Sequence, residues 1–419
     1  MKKTKILTIS DHPLSPSGVG TQTKYMIEAM LKTDKYSFVS LGGAIKHRDY
    51  QGQKVEPYGD DWRIYPVDGY GNHEIIRSVV RQEKPDIVWI MTDPRFWTWL
   101  WEIENEIRAN STLIYYHVWD NYPHPHFNKR YYESNDIVVS ISKVTNNIVK
   151  TVAPDVKLYH LPHAVDDNIF KRLDKEEIAK FKQENFPSLS DDKMIFFWNN
   201  RNARRKQSGT VIWWFAEFLE RVGKDKAMLL MHTDVRDPNG QDLEKILHEL
   251  ELVNGEVMFS TQKIAPEVIA QMYNMADCTI NISDAEGFGL ATMESLACET
   301  PIIVNMTGGL QEQVTDGKKW FGIGIEPVAK SVIGSLDVPY IYEDRLNKDD
   351  FINALEEIYN MSKEERTALG KAGRKHLLKN YNYEKTCKKW DEIFTYAVEH
   401  FSSWENRKNR SGWTIGEVA

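Results

Sequence analysis

Residues Asn281–Gly309 read NISDAEGFGLATMESLACETPIIVNMTGG. The stretch opens with the end of an apolar strand, Cys278-Thr279-Ile280-Asn281-Ile282, and turns into Glu286-Gly287-Phe288-Gly289-Leu290. A helical pattern begins near Ala291, with Met293, Leu296 and Ala297 on one face. Thr300-Pro301 stops it, since proline cannot continue a helix, and the β-branched run Ile302-Ile303-Val304 makes the next strand. The result is a strand–glycine loop–helix–strand unit, which sets a helix N-terminus at a strand end where an anion can bind. Gly287 and Gly289 remove side chains, so backbone N–H groups can approach a ligand. Glu286 sits in the turn and Glu294 in the helix, with Gly308-Gly309 and Glu312 beyond. An ordinary αβ turn with a solvated glutamate would explain a lone G-x-G; it does not explain the whole stretch.

The pattern E-G-F-G-L-x-x-x-E, an apolar strand, then G-G-x-x-E resembles the donor site of glycosyltransferase family 4. That resemblance implies a retaining enzyme of the GT-B fold: two Rossmann-like, doubly wound parallel-sheet α/β domains facing a cleft, with a C-terminal helix crossing back. The family's E-x7-E pair falls on Glu286 and Glu294. By resemblance, Glu286 contacts donor-sugar hydroxyls, Glu294 binds the ribose, and Gly287, Phe288, Gly289 and Leu290 line the nucleotide sugar.

Composition agrees with such a chain. Its 419 residues exceed one ordinary core and predict two domains. Hydrophobic residues make up 41% and charged residues 27%, as in soluble globular proteins. No apolar run is long enough for a transmembrane segment, and the apolar part of the N-terminus is too short for a signal peptide. Three cysteines without a C-x-x-C suggest no disulfide framework, so a cytoplasmic location is expected. Residues 1–165 carry 20 basic and 19 acidic side chains against 33 and 42 in the remainder, which puts the net charge of −8 in the second half. A bulk basic field for nucleic acid is therefore absent, although a local basic groove stays open.

In order along the chain, Lys5–Ile9 reads as a buried strand running into a proline-broken loop, after which Gly18 and Gly20 open a helix. Alone this is a weak phosphate signal; it resembles the family's N-terminal glycine loop, which reaches across the cleft to the donor. Strands at 37–41, 62–67 and 87–91 alternate with a helix over 72–83 and another opened by Pro94. Phe96, Trp97, Trp99, Leu100 and Trp101 in the latter read as core. The strand Thr112–Tyr116 ends at His117, where open α/β sheets hold ligands. A core histidine is the plain alternative; by resemblance, His117 lies near sugar and acceptor. The loop 118–126 brings His124 and His126 close in sequence, but the spacing matches no usual zinc motif, and an acceptor-facing loop is expected.

Pro162-His163-Ala164-Val165-Asp166 resembles the family's P-N-G-V-D linker, with His and Ala in place of Asn and Gly. Expected boundaries are 1–165 for the acceptor domain, a linker over 163–190, 190–380 for the donor domain, and 381–419 for the crossover helix and a frayed tail. The strand Met194–Trp198 leads to Asn199-Asn200-Arg201-Asn202-Ala203-Arg204-Arg205-Lys206. A departing nucleotide diphosphate needs cations or a metal. By resemblance these are Arg201 and Lys206, with Arg204 and Arg205 as competing assignments. The chain has no D-x-D motif, so no metal and no cofactor are expected. His232-Thr233-Asp234 stands where the family has a glycine-rich turn, and 320–347 is an insertion without an assigned role.

The expected partners are a nucleotide-sugar donor and a glycan or other hydroxyl acceptor, with peripheral membrane contact left open. Glycosylation of a modified nucleic-acid base, a GT-B epimerase or hydrolase, and a binding-only module are the alternatives.

Overall fold

The computed structural model describes residues 2–187, 189–190 and 192–405. The frayed tail expected beyond Glu405 lies outside them.

Strands β1 (Thr4–Asp11), β2 (Tyr36–Gly43), β3 (Gln53–Val55), β4 (Gly59–Pro66), β5 (Ile87–Thr92), β6 (Thr112–His117), β7 (Ile137–Ser140) and β8 (Leu158–His160) form one sheet in the order β3-β4-β2-β1-β5-β6-β7-β8. All pairs are parallel except the edge pair β3–β4. Its central strands β5, β6 and β7 are buried at every position, because helices cover both faces; hence their unbroken apolar runs.

Strands β9 (Met194–Asn199), β10 (Ala227–His232), β11 (Val257–Ser260), β12 (Cys278–Asn281), β13 (Ile302–Asn305) and β14 (Gly322–Ile325) form the second sheet, ordered β11-β10-β9-β12-β13-β14 and parallel throughout. The order reverses between β9 and β12, which opens a crevice at their C-terminal ends.

The expected helices stand with small shifts. Asn72 caps the helix His73–Glu83, its side chain accepting from Ile75 N at 3.0 Å. The segment opened by Pro94 is broken into a 3₁₀ turn and short helices at Thr98–Trp101 and Glu104–Arg108. Trp97, Leu100 and Trp101 lie in the core, as expected, while Phe96 is exposed. The span 163–190 contains the helix Lys175–Asn185, and Asn274 ties down the segment before it by donating to Lys171 O and accepting from Leu173 N.

The last helix, Tyr383–Phe401, crosses back to the first sheet. Trp390 packs edge-on against Trp89 and Tyr116, with ring centroids 5.9 and 5.0 Å away, and Phe394 packs on Tyr36. The insertion 320–347 proves to hold an antiparallel hairpin, β15 (Ala329–Ile333) and β16 (Ile341–Arg345). Val338 at its turn is buried in the core cluster of the first sheet. No helix among the described residues is long and apolar enough to cross a membrane.

Candidate active site

The loops that follow β9 and β12 meet at the C-terminal edge of the second sheet. The β9 loop is pinned from below. Asn202 is fully buried, donates to Gln241 O at 2.7 Å and accepts from Ser208 Oγ at 2.6 Å. The chain then makes a 3₁₀ turn at Arg204–Lys206, reverses at Gln207 with φ +58°, and enters the helix Ser208–Val222. This presents Lys206 inward against Glu286, with which it forms a buried ion pair. Arg205 lies 3.8 Å from the same carboxylate and donates to Ala285 O. Asp284 N donates back to Arg205 O at 2.8 Å, so the two loops are laced together.

Electrostatics follow from this packing. Burial and the neighbouring Arg205 charge push the Lys206 ammonium down to about 8, against the pull of Glu286. Burial raises Glu286, but Lys206 and Arg205 outweigh it and hold the carboxyl below its ordinary value. The site is a preorganised cation–carboxylate cluster.

The glycines have separate tasks. Gly289 has φ +93° and starts the helix Leu290–Ala297. Gly308 has φ +49°, and a Cβ there would lie 1.8 Å from Glu286 O; one on Gly309 would lie 2.7 Å from Phe288 Cα. Gly309 N donates to Glu286 O at 2.9 Å. The G-G pair is thus a backbone seat for the E-G-F-G loop. A Cβ on Gly287 would stand 2.9 Å from Val118 O, so this loop touches the first domain. Phe288 is buried between His163 and Tyr381, ring centroids 5.0 and 5.8 Å away, which makes its side chain an anchor for the loop.

Glu294 accepts from Tyr273 Oη at 2.9 Å, and Asn199 Nδ2 donates to the same hydroxyl. Burial raises the Glu294 carboxyl to about 7, with the Tyr273 bond opposing. From the first domain, a Cβ on Gly18 would come 3.1 Å from Leu290 Cδ1, so the N-terminal glycine loop does reach the donor loop. Gly20 instead packs inside its own turn, where a Cβ would meet His12 O at 2.6 Å.

Two predicted residues stand apart from this cluster. Arg201 is exposed and forms a two-pronged pair with Asp237, at 2.6 and 3.1 Å. The arginine beside Glu286 is Arg205, and Arg204 is engaged by Glu343 of the hairpin. His117 is fully buried: Nδ1 faces Tyr115 Oη at 3.1 Å, the ring packs on Tyr132, and Nε2 has no hydrogen-bond partner among the described residues. Burial lowers it to about 3, so the imidazole is neutral. His124 packs edge-on against Tyr122.

Sequence reasoning missed Asp120, Asp284, Gln207, Tyr273 and Asn199. The signal for Asp120 was its place just past the end of β6; the others are visible only through packing.

Residues 180–376 match the family model described as Glycosyl transferases group 1. The N-acetyl-alpha-D-glucosaminyl L-malate synthase of Bacillus anthracis is 23% identical over 56% of this chain and 58% of its own length. The alpha-monoglucosyldiacylglycerol synthase of Streptococcus pneumoniae is 29% identical over 45% of this chain and 41% of its own. The matched part thus spans between about two-fifths and three-fifths of these curated relatives. Among solved structures, a sucrose-phosphate synthase from Thermosynechococcus elongatus superposes with TM-score 0.75 at 18% identity, covering 95% of this chain and 100% of that one. Anabaena HepE in complex with UDP and glucose superposes with TM-score 0.68 at 14% identity, covering 94% and 99%. These overlays establish the two-domain GT-B fold; a nucleic-acid acceptor finds no support among them. The residues matched by that model include Arg201, Lys206, Glu286 and Glu294.

Proposed function

We propose that this chain is a retaining glycosyltransferase that moves a sugar from a nucleotide diphosphate sugar to an acceptor hydroxyl. The observation that carries the reading is the buried Lys206–Glu286 pair with Arg205 beside it, at the point where the second sheet reverses its order. Cations there suit the charge that develops on a diphosphate as the glycosidic C–O bond breaks. Lys206 and Arg205 take phosphate oxygens, and Arg201 joins them by leaving Asp237. The N–H groups at Gly289 and Leu290 add to this at a helix N-terminus. Glu286 fixes the sugar hydroxyls, and Glu294 the ribose. The acceptor oxygen bonds the anomeric carbon on the face the diphosphate leaves, and its proton passes to a departing phosphate oxygen. Products are the glycoside and the nucleoside diphosphate. Side-chain cations replace a metal in this scheme.

A neutral, buried His117 serves as a hydrogen-bonding group near the sugar, not as a cation. The relatives' names include lipid and small-molecule products, so the acceptor class is a hydroxyl compound of glycan, lipid or polyol type. Domain closure would exclude water that otherwise hydrolyses the donor.

The experiment is a thermal-shift panel of UDP, GDP, ADP and CMP with common nucleotide sugars, run without and with magnesium, followed by NMR of the anomeric configuration in the product. One nucleotide class is expected to raise the melting temperature without magnesium, since a ligand of the folded state stabilises it. A flat panel in both conditions sinks the donor site, strict magnesium dependence sinks the metal-free scheme, and an inverted product sinks retention.

A further inference from the structure

We propose that Asp120 is the acceptor-side carboxylate of this site, seating the attacking hydroxyl of a polyol, and that the inserted hairpin holds it opposite Glu286. This rests on the glycosyltransferase reading above.

Among the aspartates at the C-terminal edge of the first sheet, Asp11, Asp93 and Asp120 differ in their situations. Asp11 accepts from Ser17 Oγ at 2.6 Å and Tyr70 Oη at 2.8 Å. Asp93 accepts from Arg95 N at 3.0 Å and pairs with its guanidinium at 3.2 Å. Both are spent on holding loops. Asp120 is partly buried, and among the described residues no other residue donates a hydrogen bond to its carboxylate. Its Oδ2 lies 3.8 Å from where a Cβ on Gly287 would be. Gly287 has no side chain, so its backbone packs closely under Val118 O and Ile141, and the carboxylate lies within the field of Glu286 and Arg205.

A carboxylate left with free lone pairs in a partly desolvated cleft is costly unless something donates to it. The donor-side cations are already matched to Glu286 and to a diphosphate. Hydroxyl groups are the remaining donors, and a polyol can offer two to one carboxylate. Burial raises the Asp120 carboxyl to about 6, with Arg205 opposing, so the group is mostly ionised and acceptor-only at neutral pH.

The placement is set by β16. Asn121 Nδ2 donates to Tyr342 O at 2.8 Å, and Tyr342 N donates to Tyr122 O at 2.5 Å. Two residues on, Asp344 N donates to Asp284 O at 2.9 Å and Arg345 pairs with the Asp284 carboxylate at 2.7 Å. One strand therefore grips the chain one residue after Asp120 and again two residues before Glu286. Two residues of strand span about 6.6 Å, which makes β16 a short spacer between the loops. Val338, buried in the first domain's core, anchors its far end.

The test uses the full chain as wild type, Asp120→Asn and Asn121→Ala. UDP-glucose and GDP-mannose are the donor probes, and myo-inositol, methyl glucoside, glycerol and an inositol phosphate the acceptor probes. Nucleotide release and glycosylated product are followed separately. Asp120→Asn is expected to raise the KM for the best polyol about tenfold or more while the donor KM and the nucleotide-induced melting shift stay as in wild type. Asn121→Ala is expected to raise the acceptor KM by a smaller factor, because Tyr342 N still holds Tyr122 O. Four results would overturn the proposal: an unchanged acceptor KM, an equal rise in both KM values, loss of the nucleotide shift in Asp120→Asn, or a wild type that releases nucleotide into water but glycosylates no polyol. A wild type that neither binds nor consumes either donor fails at the parent reading, and the two failures are thereby told apart.

Discussion

The two sheet edges that face each other across the cleft are built differently. At the second sheet, the working groups satisfy one another: Lys206 with Glu286, Tyr273 with Glu294, Gln207 with Asp284, and Gly308-Gly309 under the Glu286 loop. At the first sheet, charged groups mostly hold their own loops, as Asp11 and Asp93 do, and Asp120 acquires a setting only where the second domain and the hairpin reach it. One edge is self-contained and the other is completed by its neighbour. The family match, residues 180–376, falls on the self-contained side.

The largest expected effect breaks the self-contained edge. Lys206→Ala removes the cation nearest the leaving diphosphate and strands a buried carboxylate. Transfer should fall by about 100- to 1,000-fold. Stability should fall by about 3 kcal/mol, the lower end for a broken buried pair because Arg205 remains close. Single-turnover kinetics and urea denaturation measure the two; a fully active variant would remove Lys206 from the site.

The glycines come next. Gly308→Ala places a Cβ inside van der Waals contact of Glu286 O at a left-handed backbone position, and should cost about 3 kcal/mol together with nucleotide binding. Gly18→Ala meets only the flexible end of Leu290 at 3.1 Å, and should leave stability within about 0.5 kcal/mol. Equal unfolding midpoints for the two variants would contradict the backbone-seat assignment.

Titration sharpens the same contrast. Glu294 is raised from 4.5 to about 7, so its neutral form favours folding. That contribution is complete below about 4.5 and is lost as pH rises through about 7. Glu294→Gln is therefore expected to melt above wild type at pH 8 and to lose this advantage at pH 4.5. A constant difference across that window would show that burial does not control the group.

The smallest effect concerns Arg201. If it must leave Asp237 to reach phosphate, Asp237→Asn frees it and should tighten nucleotide binding about two- to fivefold, within the energy of a pair whose arginine is solvent-exposed. Isothermal titration giving an unchanged affinity would keep Arg201 out of the donor site.

Much of the fold was legible because strand and helix periods in an α/β chain are local. The apolar runs of β5, β6, β9 and β13 and the Glu286–Gly309 unit all read directly from the residues. Gly287, Gly289, Gly308 and Gly309 were legible as a group, since left-handed and close-packed backbone admits few other residues. Which arginine stands at Glu286 was not legible: Arg201, Arg204 and Arg205 have the same chemistry, and their partners Asp237, Glu343 and Glu286 lie far away in sequence. His117 was placed correctly at a strand end, yet its burial against Tyr115 and Tyr132 depends on how its loop folds over it. The hairpin at 329–345 had no readable purpose, because a two-stranded insertion has no local signal for what it will touch.

The sequence by itself determined the alternation of elements, the order of their boundaries and the glycine–glutamate donor loop, because each depends on neighbours within a turn or a strand. Tertiary structure alone decided which charges pair, which histidine is neutral and which aspartate faces the cleft. Those outcomes are set by burial and by distances between residues tens to hundreds of positions apart.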